Sequence, residues 1–159
     1  MKKSPNLNLV FSLLAVPLIL SFAACKKSAT GGSIGLTGTW TNKTLGAPDI
    51  VQLYNFKSND SVEFYDYKID TNTGKILGYG YKTIGKYKLE NATLTMYNLA
   101  SFLNPAGGFG PLSQLAPGNG SVTETYTIAI DSQKKQLSLY FTCPPSADCI
   151  PSPIIYFRQ

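Results

Sequence analysis

The chain has 159 residues, a formal charge of +5 and no histidine. Because histidine is the commonest general base and a frequent zinc ligand, its absence argues against most hydrolase mechanisms and most zinc sites. The lysines and arginines form no cluster typical of a nucleic-acid-binding surface, so we expect no nucleic-acid partner. Charged residues make up only 14% of the chain, against 10 tyrosines and 8 phenylalanines, and this composition favours an all-β fold.

Residues 1–24 have the pattern of a secretory signal peptide. Two lysines give a basic start, an apolar run of about a dozen residues follows, and two alanines precede Cys25. The apolar run is shorter than the roughly 20 residues that a transmembrane helix needs, so we do not expect a permanent membrane span.

The four residues that end at Cys25, with the sequence FAAC, resemble the lipobox of bacterial lipoproteins. The resemblance implies cleavage before Cys25 and its acylation, palmitate included, which would tether the mature protein to membrane lipid. A free cysteine after an ordinary signal peptide is the alternative. Position 26 is not Asp. In Gram-negative lipoproteins the absence of Asp at this position implies sorting to the outer membrane, and the protein would lie on its periplasmic or surface face. Residues 25–33 would then form the lipidated cysteine and a flexible tether.

Residues 34–159 are expected to form one β-domain. Apolar and polar residues alternate through 52–97, which predicts an antiparallel meander. Turn signals lie at 58–60, 71–74, 83–85, 90–92 and, in a second hairpin, 131–135. A last strand at 154–158 is expected to pair with the first and close the sheet. The count is eight or nine strands, and an eight-stranded barrel is either just filled by side chains or holds one small ligand.

The segment Gly38-Thr39-Trp40 is similar to the G-x-W signature of lipocalins, and 53–60 and 85–95 resemble recurring segments of the lipocalin-like domains of Bacteroidetes-type lipoproteins. The resemblance implies an antiparallel up-and-down barrel of about eight strands. It also implies that Trp40 packs across the closed base of that barrel.

Along the longest alternating stretch, Tyr79, Tyr81 and Tyr87 share one parity and are expected to face inward, opposite a lysine-rich face. Such a stripe is ordinary core packing or part of a ligand site, because buried tyrosine hydroxyls need hydrogen-bond partners. Gly78 and Gly80, on the other parity, indicate sharp coiling or the close approach of another strand.

Residues 99–120 contain five glycines, three prolines and no charge, and we expect a long loop without strands. Three interpretations stay open. The loop is a lid that places Phe102 or Phe109 over the barrel mouth, a partner-binding patch, or a short helix that plugs the core. The candidate ligand-binding residues are therefore Trp40, Tyr79, Tyr81, Tyr87, Phe102 and Phe109.

Cys143 and Cys149 are expected to form a disulfide in an exported protein, with a redox pair or a metal site as alternatives. The carboxylates Glu63, Asp66 and Asp70 are expected to be solvated. No phosphate-binding or dinucleotide motif occurs, so we expect no catalytic residue, no cofactor, no metal and no enzymatic activity.

These observations predict a lipid-anchored, lipocalin-like envelope protein that binds a small apolar ligand or a protein partner. The alternative is a structural or accessory lipoprotein with a filled barrel and no ligand.

Overall fold

A computed structural model describes residues 35–43, 46–141 and 152–159. Within them eight strands and a short 3-10 turn at Leu112–Gln114 follow one another. The strands are β1 (Gly38–Lys43), β2 (Ile50–Phe56), β3 (Ser61–Ile69), β4 (Ile76–Glu90), β5 (Thr93–Leu103), β6 (Ala116–Ile130), β7 (Gln136–Phe141) and β8 (Ile154–Arg158). In these ranges we find no helix with the length and apolar character needed to cross a membrane.

The strands form a closed barrel in which each strand pairs with the next in the sequence. All pairs are antiparallel, and β8 returns to β1, where Trp40 lies between Tyr54 of β2 and Arg158 of β8. The predicted all-β, up-and-down barrel of about eight strands is confirmed, as is the pairing of the last strand with the first.

Four of the five predicted turns are present, at 58–60, 71–74, 90–92 and 131–135. In the turn at 90–92, Asn91 (φ 48°) and Ala92 (φ 66°) both have a left-handed backbone conformation, which is the geometry of a type I′ hairpin turn. In the turn at 71–74, a carboxylate oxygen of Asp70 accepts hydrogen bonds from the backbone N–H groups of Asn72 (2.8 Å) and Thr73 (3.1 Å). The polar residues of these turns therefore act through local backbone hydrogen bonds.

The turn predicted at 83–85 is wrong, because β4 runs without interruption from Ile76 to Glu90. Gly85 instead allows close packing. A Cβ atom there would lie 2.7 Å from a methyl group of Leu99 and 2.9 Å from the carbonyl oxygen of Tyr97. The pairing of β4 with β5 shifts register at this point, between Ile84 and Lys86. The glycine thus marks an irregularity in a long strand rather than its end.

The long loop predicted for 99–120 exists but is shorter. Residues 99–103 end β5 and residues 116–120 begin β6, and the two strands pair there, with Leu103 opposite Ala116 and Phe102 opposite Pro117. A register shift between Ala100 and Phe102 accommodates the proline, which cannot donate a ladder hydrogen bond. Pairing in the closed sheet therefore outweighs the loop-like composition of these ends, and only 104–115 connects the strands.

The connection 104–115 runs beside β4 beyond the point where β5 ends. Tyr79 donates its N–H to the carbonyl of Gly110 (2.7 Å), and Gly110 donates back to Tyr79 (3.1 Å). A Cβ atom on Gly78 would lie 2.8 Å from the nitrogen of Gly110, and one on Gly80 would lie 3.1 Å from the ring of Phe109. The close approach predicted from Gly78 and Gly80 is confirmed.

The core is densest at the end of the barrel where β1 begins. Trp40 is fully buried there, and its indole N–H donates to the carbonyl of Leu36 (2.6 Å). The guanidinium of Arg158 lies 4.3 Å from the centre of the Trp40 ring and donates to the carbonyls of Lys134 (2.7 Å) and Thr37 (2.9 Å). These contacts close the base of the barrel. The other buried apolar residues of this end are Leu36, Phe56, Tyr87, Leu94, Ile128 and Leu137.

Candidate functional site

The opposite half of the barrel encloses a cavity of about 200 Å³. Gln52 near the start of β2, Phe141 at the end of β7 and Ile154 at the start of β8 place it toward the mouth. Its polar lining residues are Gln52, Tyr54, Tyr81, Thr83, Glu124, Tyr126 and Tyr156, and its apolar ones are Val62, Phe64, Met96, Leu99, Phe141 and Ile154. The cavity therefore combines an apolar body with a limited set of polar groups, as small-molecule sites do.

Four tyrosines dominate the wall, and each comes from a different strand. Tyr54, Tyr81, Tyr126 and Tyr156 belong to β2, β4, β6 and β8, at positions whose parity points them inward. The ring of Tyr54 packs edge-on against that of Tyr156 at 5.2 Å and lies 4.7 Å from Phe64. This packing holds the rings in place around the empty space.

Most of the tyrosine hydroxyls are engaged inside the barrel. Tyr156 donates to the amide oxygen of Gln52 (3.0 Å), and Tyr126 donates to the carboxylate of Glu124 (2.7 Å). Tyr81 shares a hydrogen bond of 2.7 Å with the hydroxyl of Ser101. Burial raises the pKa of Tyr126 and Tyr156 well above the ordinary phenol value, and Glu124 adds to both effects. The hydroxyls therefore stay neutral at pH 7.

Asp66 of β3 lies in register between Gln52 of β2 and Tyr81 of β4, so its side chain belongs to the inner face. One of its carboxylate oxygens is fully buried and has no hydrogen-bond partner within the described ranges. Burial raises the pKa of this carboxyl group. An unsatisfied buried acceptor costs roughly 1–3 kcal/mol, so the structure leaves a donor missing at this point. The expectation that Asp66 is solvated therefore fails for one carboxylate oxygen, while the residue as a whole is half-buried.

In the part of the chain that the structure describes, the charged side chains on the inner face of the mouth half are acidic. Asp66 and Glu124 are both close enough to Tyr156 to raise the pKa of its hydroxyl, whereas no lysine or arginine is among the lining residues. Lys82 lies on the outer surface, 5.5 Å from the centre of the Tyr65 ring and 5.9 Å from that of Phe102. The cavity is therefore an acidic, tyrosine-lined site.

Of the six candidate ligand-binding residues, only Tyr81 lines the cavity. Trp40 and Tyr87 belong to the core at the closed end, where the Tyr87 hydroxyl donates to the carbonyl of Lys57 (3.0 Å). Phe102 lies beside Lys82 on the outside, and Phe109 packs on Gly80. Neither phenylalanine lines the cavity, so the structure does not support the interpretation of residues 99–120 as a lid.

Tyr79 faces outward because β4 carries one extra residue. Tyr81 is opposite Asp66, but Tyr79 is opposite Tyr67, the next residue of β3, which leaves Gly80 unpaired as a β-bulge. One extra residue reverses the facing of the positions that precede it. The ring of Tyr79 accordingly packs at 5.8 Å from Tyr67 and 6.0 Å from Tyr65 on the outer face.

The outer face has a shallow depression of its own, where the connection 104–115 meets the sheet. It is lined by Leu53, Tyr65, Tyr67, Ile76, Tyr79 and Leu112. Ile76 and Leu112 remain about two-fifths exposed, at 42% and 40%. The exposed apolar side chains of this depression are therefore compatible with the interpretation of residues 99–120 as part of a partner-binding patch.

Sequence reasoning missed most of the site, including the lining residues Gln52, Tyr54, Glu124, Tyr126 and Tyr156 and the neighbouring Asp66. Alternation along β2 carries a signal for Tyr54, since it has the parity of the buried Phe56. No single-strand signal brings the other groups together, because their proximity depends on register across the closed sheet.

Cys25, Cys143 and Cys149 lie outside the described residues, so acylation and the disulfide stay predictions. Within the described residues, no group of three or more cysteine, aspartate or glutamate side chains lies close enough together to hold a metal ion.

Comparison of the chain with protein-family models, with curated proteins and with solved structures gives no match. The resemblance to lipocalin-like lipoproteins thus remains a prediction, and the barrel and its cavity are the findings on which a function has to be argued.

Proposed function

We propose that this protein is a lipid-anchored, lipocalin-like protein of the bacterial envelope that binds a small ligand inside its barrel. The observation that supports this proposal is the cavity of about 200 Å³ enclosed by the mouth half of the barrel. A barrel that serves only as a structural module would be filled in both halves, as this one is around Trp40.

The size and lining of the cavity favour a compact ligand. An apolar cavity of about 150 Å³ is enough to hold benzene, so the space here suits a molecule on the order of ten non-hydrogen atoms. Val62, Phe64, Met96 and Leu99 offer it an apolar surface, while the hydroxyls and carboxylates fix its orientation. Because the barrel is closed, the site is formed before the ligand arrives and little ordering opposes binding.

The proposed role is binding rather than catalysis. The buried tyrosines have raised pKa values and are poor general bases at neutral pH. Asp66, on the inner face beside Gln52 and Tyr81, is a carboxyl group with a raised pKa, and its role is better explained by recognition.

The proposed location rests on the sequence. Acylated Cys25 would hold the protein on the outer membrane, on its periplasmic or surface face, and residues 25–33 would let the barrel stand off the lipid.

A structural or accessory lipoprotein is the second candidate. The observation that favours it is the outer depression around Tyr65, Tyr67 and Tyr79, which offers apolar surface to an envelope protein partner.

Native mass spectrometry of the protein purified from its own host tests the proposal. We expect a retained molecule of roughly 100–200 Da, the size that fits the cavity. The variant Thr83→Phe, which fills the cavity from β4, should lose this molecule. Thr125→Phe, at an exposed position of β6, is the matched control and should keep it. A wild-type protein without a bound molecule would favour the structural candidate, and loss from both variants alike would place the molecule elsewhere.

A further inference from the structure

We infer that the barrel binds a small organic cation, an ammonium group joined to an apolar body, with Asp66 as its principal charged contact. This inference rests on the proposed function, since it names the chemical class of the ligand that the cavity takes. It follows from three features of the interior, which are its charge, its unpartnered acceptor and its ring composition.

The charge of the interior disfavours an anion. Glu124 lines the cavity, and Asp66 lies on the inner face in register with two of its lining residues, Gln52 and Tyr81. Among the described residues, no cationic side chain lines it. A bound carboxylate or phosphate would be desolvated next to like charge without a compensating partner, which is strongly unfavourable.

Three lysines of the described residues are engaged on the outer surface. Lys57 pairs with Glu63 (2.6 Å) and Lys68 with Asp49 (3.1 Å). Lys82 lies over the outward ring of Tyr65. The cation that would balance Asp66 is therefore not supplied by these side chains.

The unpartnered oxygen of Asp66 favours a ligand that brings a hydrogen-bond donor, and most strongly a cationic one. Among its neighbours in the ladder, the Tyr81 hydroxyl bonds to Ser101, and Gln52 accepts from Tyr156 through its amide oxygen. An ammonium group brings three donors and forms charge-assisted hydrogen bonds with carboxylates. A ligand without a donor would leave the Asp66 oxygen unsatisfied.

The rings add a second attraction for positive charge. The face of an aromatic ring is negative, and a cation within about 6 Å of it is attracted, most strongly where water is excluded. Tyr54, Tyr81, Tyr126 and Tyr156 line the cavity together with Glu124, and Asp66 lies on the same inner face, opposite Tyr81 in the ladder. The apolar lining toward Val62 and Met96 then receives the remainder of the ligand. A compact arylalkylamine has this combination of groups and this size.

Three probes of nearly equal shape separate charge from apolar contact, namely 2-phenylethylammonium, 2-phenylethanol and phenylacetate. Isothermal titration calorimetry of the full-length protein at pH 7 measures the affinity of each. We expect the ammonium probe to bind at least about tenfold more tightly than the alcohol, and phenylacetate to bind most weakly. The variant Asp66→Asn should reduce the affinity for the ammonium probe by about tenfold and leave that for the alcohol unchanged. Glu63→Gln removes the same charge from the outer face of β3 and should change none of the three affinities.

The outcomes separate this inference from the proposed function. Equal or tighter binding of the alcohol or of phenylacetate overturns the inference and leaves a ligand-binding barrel in place. Binding of none of the three also overturns it, and mass spectrometry of the host-derived protein then shows whether the barrel retains a molecule of another class or none. If Asp66→Asn does not fold, Glu124→Gln and the order of the three probes on the wild-type protein decide the same question.

Discussion

Replacing Asp66 with asparagine is expected to make the ligand-free protein more stable at neutral pH, although the substitution removes a charged residue from a folded barrel. The reason is that the folded chain keeps one carboxylate oxygen of Asp66 buried without a hydrogen-bond donor. Asparagine is nearly isosteric, and its neutral amide is less costly to bury than a carboxylate. The gain should appear only when no ligand occupies the cavity.

The magnitude follows from the unmade hydrogen bond. Leaving a buried polar group unsatisfied costs about 1–3 kcal/mol. Asp66 as a whole is only half-buried, so solvent screens part of this penalty, and the asparagine leaves some of its own hydrogen-bonding capacity unused. We therefore expect a gain of about 1 kcal/mol in the free energy of unfolding, or about 3 °C in Tm for a domain of this size.

The gain should depend on pH in a defined direction. Burial raises the pKa of Asp66 in the folded chain, so the folded state holds this proton more tightly than the unfolded state. The stability of the wild-type protein therefore falls as pH rises from the usual carboxyl pKa to the raised pKa of the folded state. The advantage of asparagine should be small at low pH, grow through this window and stay constant above it.

Urea unfolding of refolded, ligand-free protein, followed through the fluorescence of the buried Trp40, measures this difference across the pH range. Glu63→Gln on the same strand is a control of opposite sign, because the hydrogen bond from Lys57 lowers the pKa of Glu63. That variant should lose at most about 1 kcal/mol above the usual carboxyl pKa. An Asp66→Asn protein less stable than wild type at pH 7 would refute the reasoning, since it would mean that the carboxylate has a partner in the folded state.

Three further predictions concern the anchor, the thiols and one turn. Cys25→Ala should move the protein from the membrane fraction to the soluble or unprocessed pool, and unchanged partitioning and mass would exclude the lipid anchor. Cys143 and Cys149 should resist alkylation until they are reduced, whereas free thiols in freshly isolated protein would contradict the disulfide. Ala92→Gly should raise the free energy of unfolding by about 1 kcal/mol, because the left-handed φ of 66° strains alanine in a type I′ turn. Ala129→Gly, in the interior of β6, is its control in urea unfolding and should be destabilising; a loss of stability in both variants would contradict the turn argument.

The fold could be predicted from the sequence because its signals are local. Turn residues at 58–60 and 90–92, and alternation between them, fix where strands end and which positions are apolar. The pairing of the first and last strands could be expected from the resemblance to lipocalin-like barrels, in which the final strand closes the sheet. The turn predicted at 83–85 failed because a glycine in a strand and a glycine in a turn look alike in sequence. Gly85 is distinguished only by the side chain of Leu99 that packs against it.

The candidate site was harder to predict because it depends on register. Tyr79 and Tyr81 have the same parity, yet the unpaired Gly80 sends one ring outside and leaves the other inside. In the same way, Asp66 becomes an inner residue because Gln52 and Tyr81 flank it in the ladder. Alternation within one strand cannot reveal a bulge, since the bulge is defined by the neighbouring strand.

The distribution of packing along the barrel explains how an unpaired carboxylate can persist in the other half. Trp40, held by Arg158 and Leu36, closes a fully packed base, and this half contains the largest buried side chains. Burial of these side chains stabilises the closed sheet and offsets the cost of an empty space and an unsatisfied acceptor in the mouth half. A stabilising substitution at Asp66 that also weakens ammonium binding would be the expected signature of a site whose polar groups are arranged for a ligand rather than for stability.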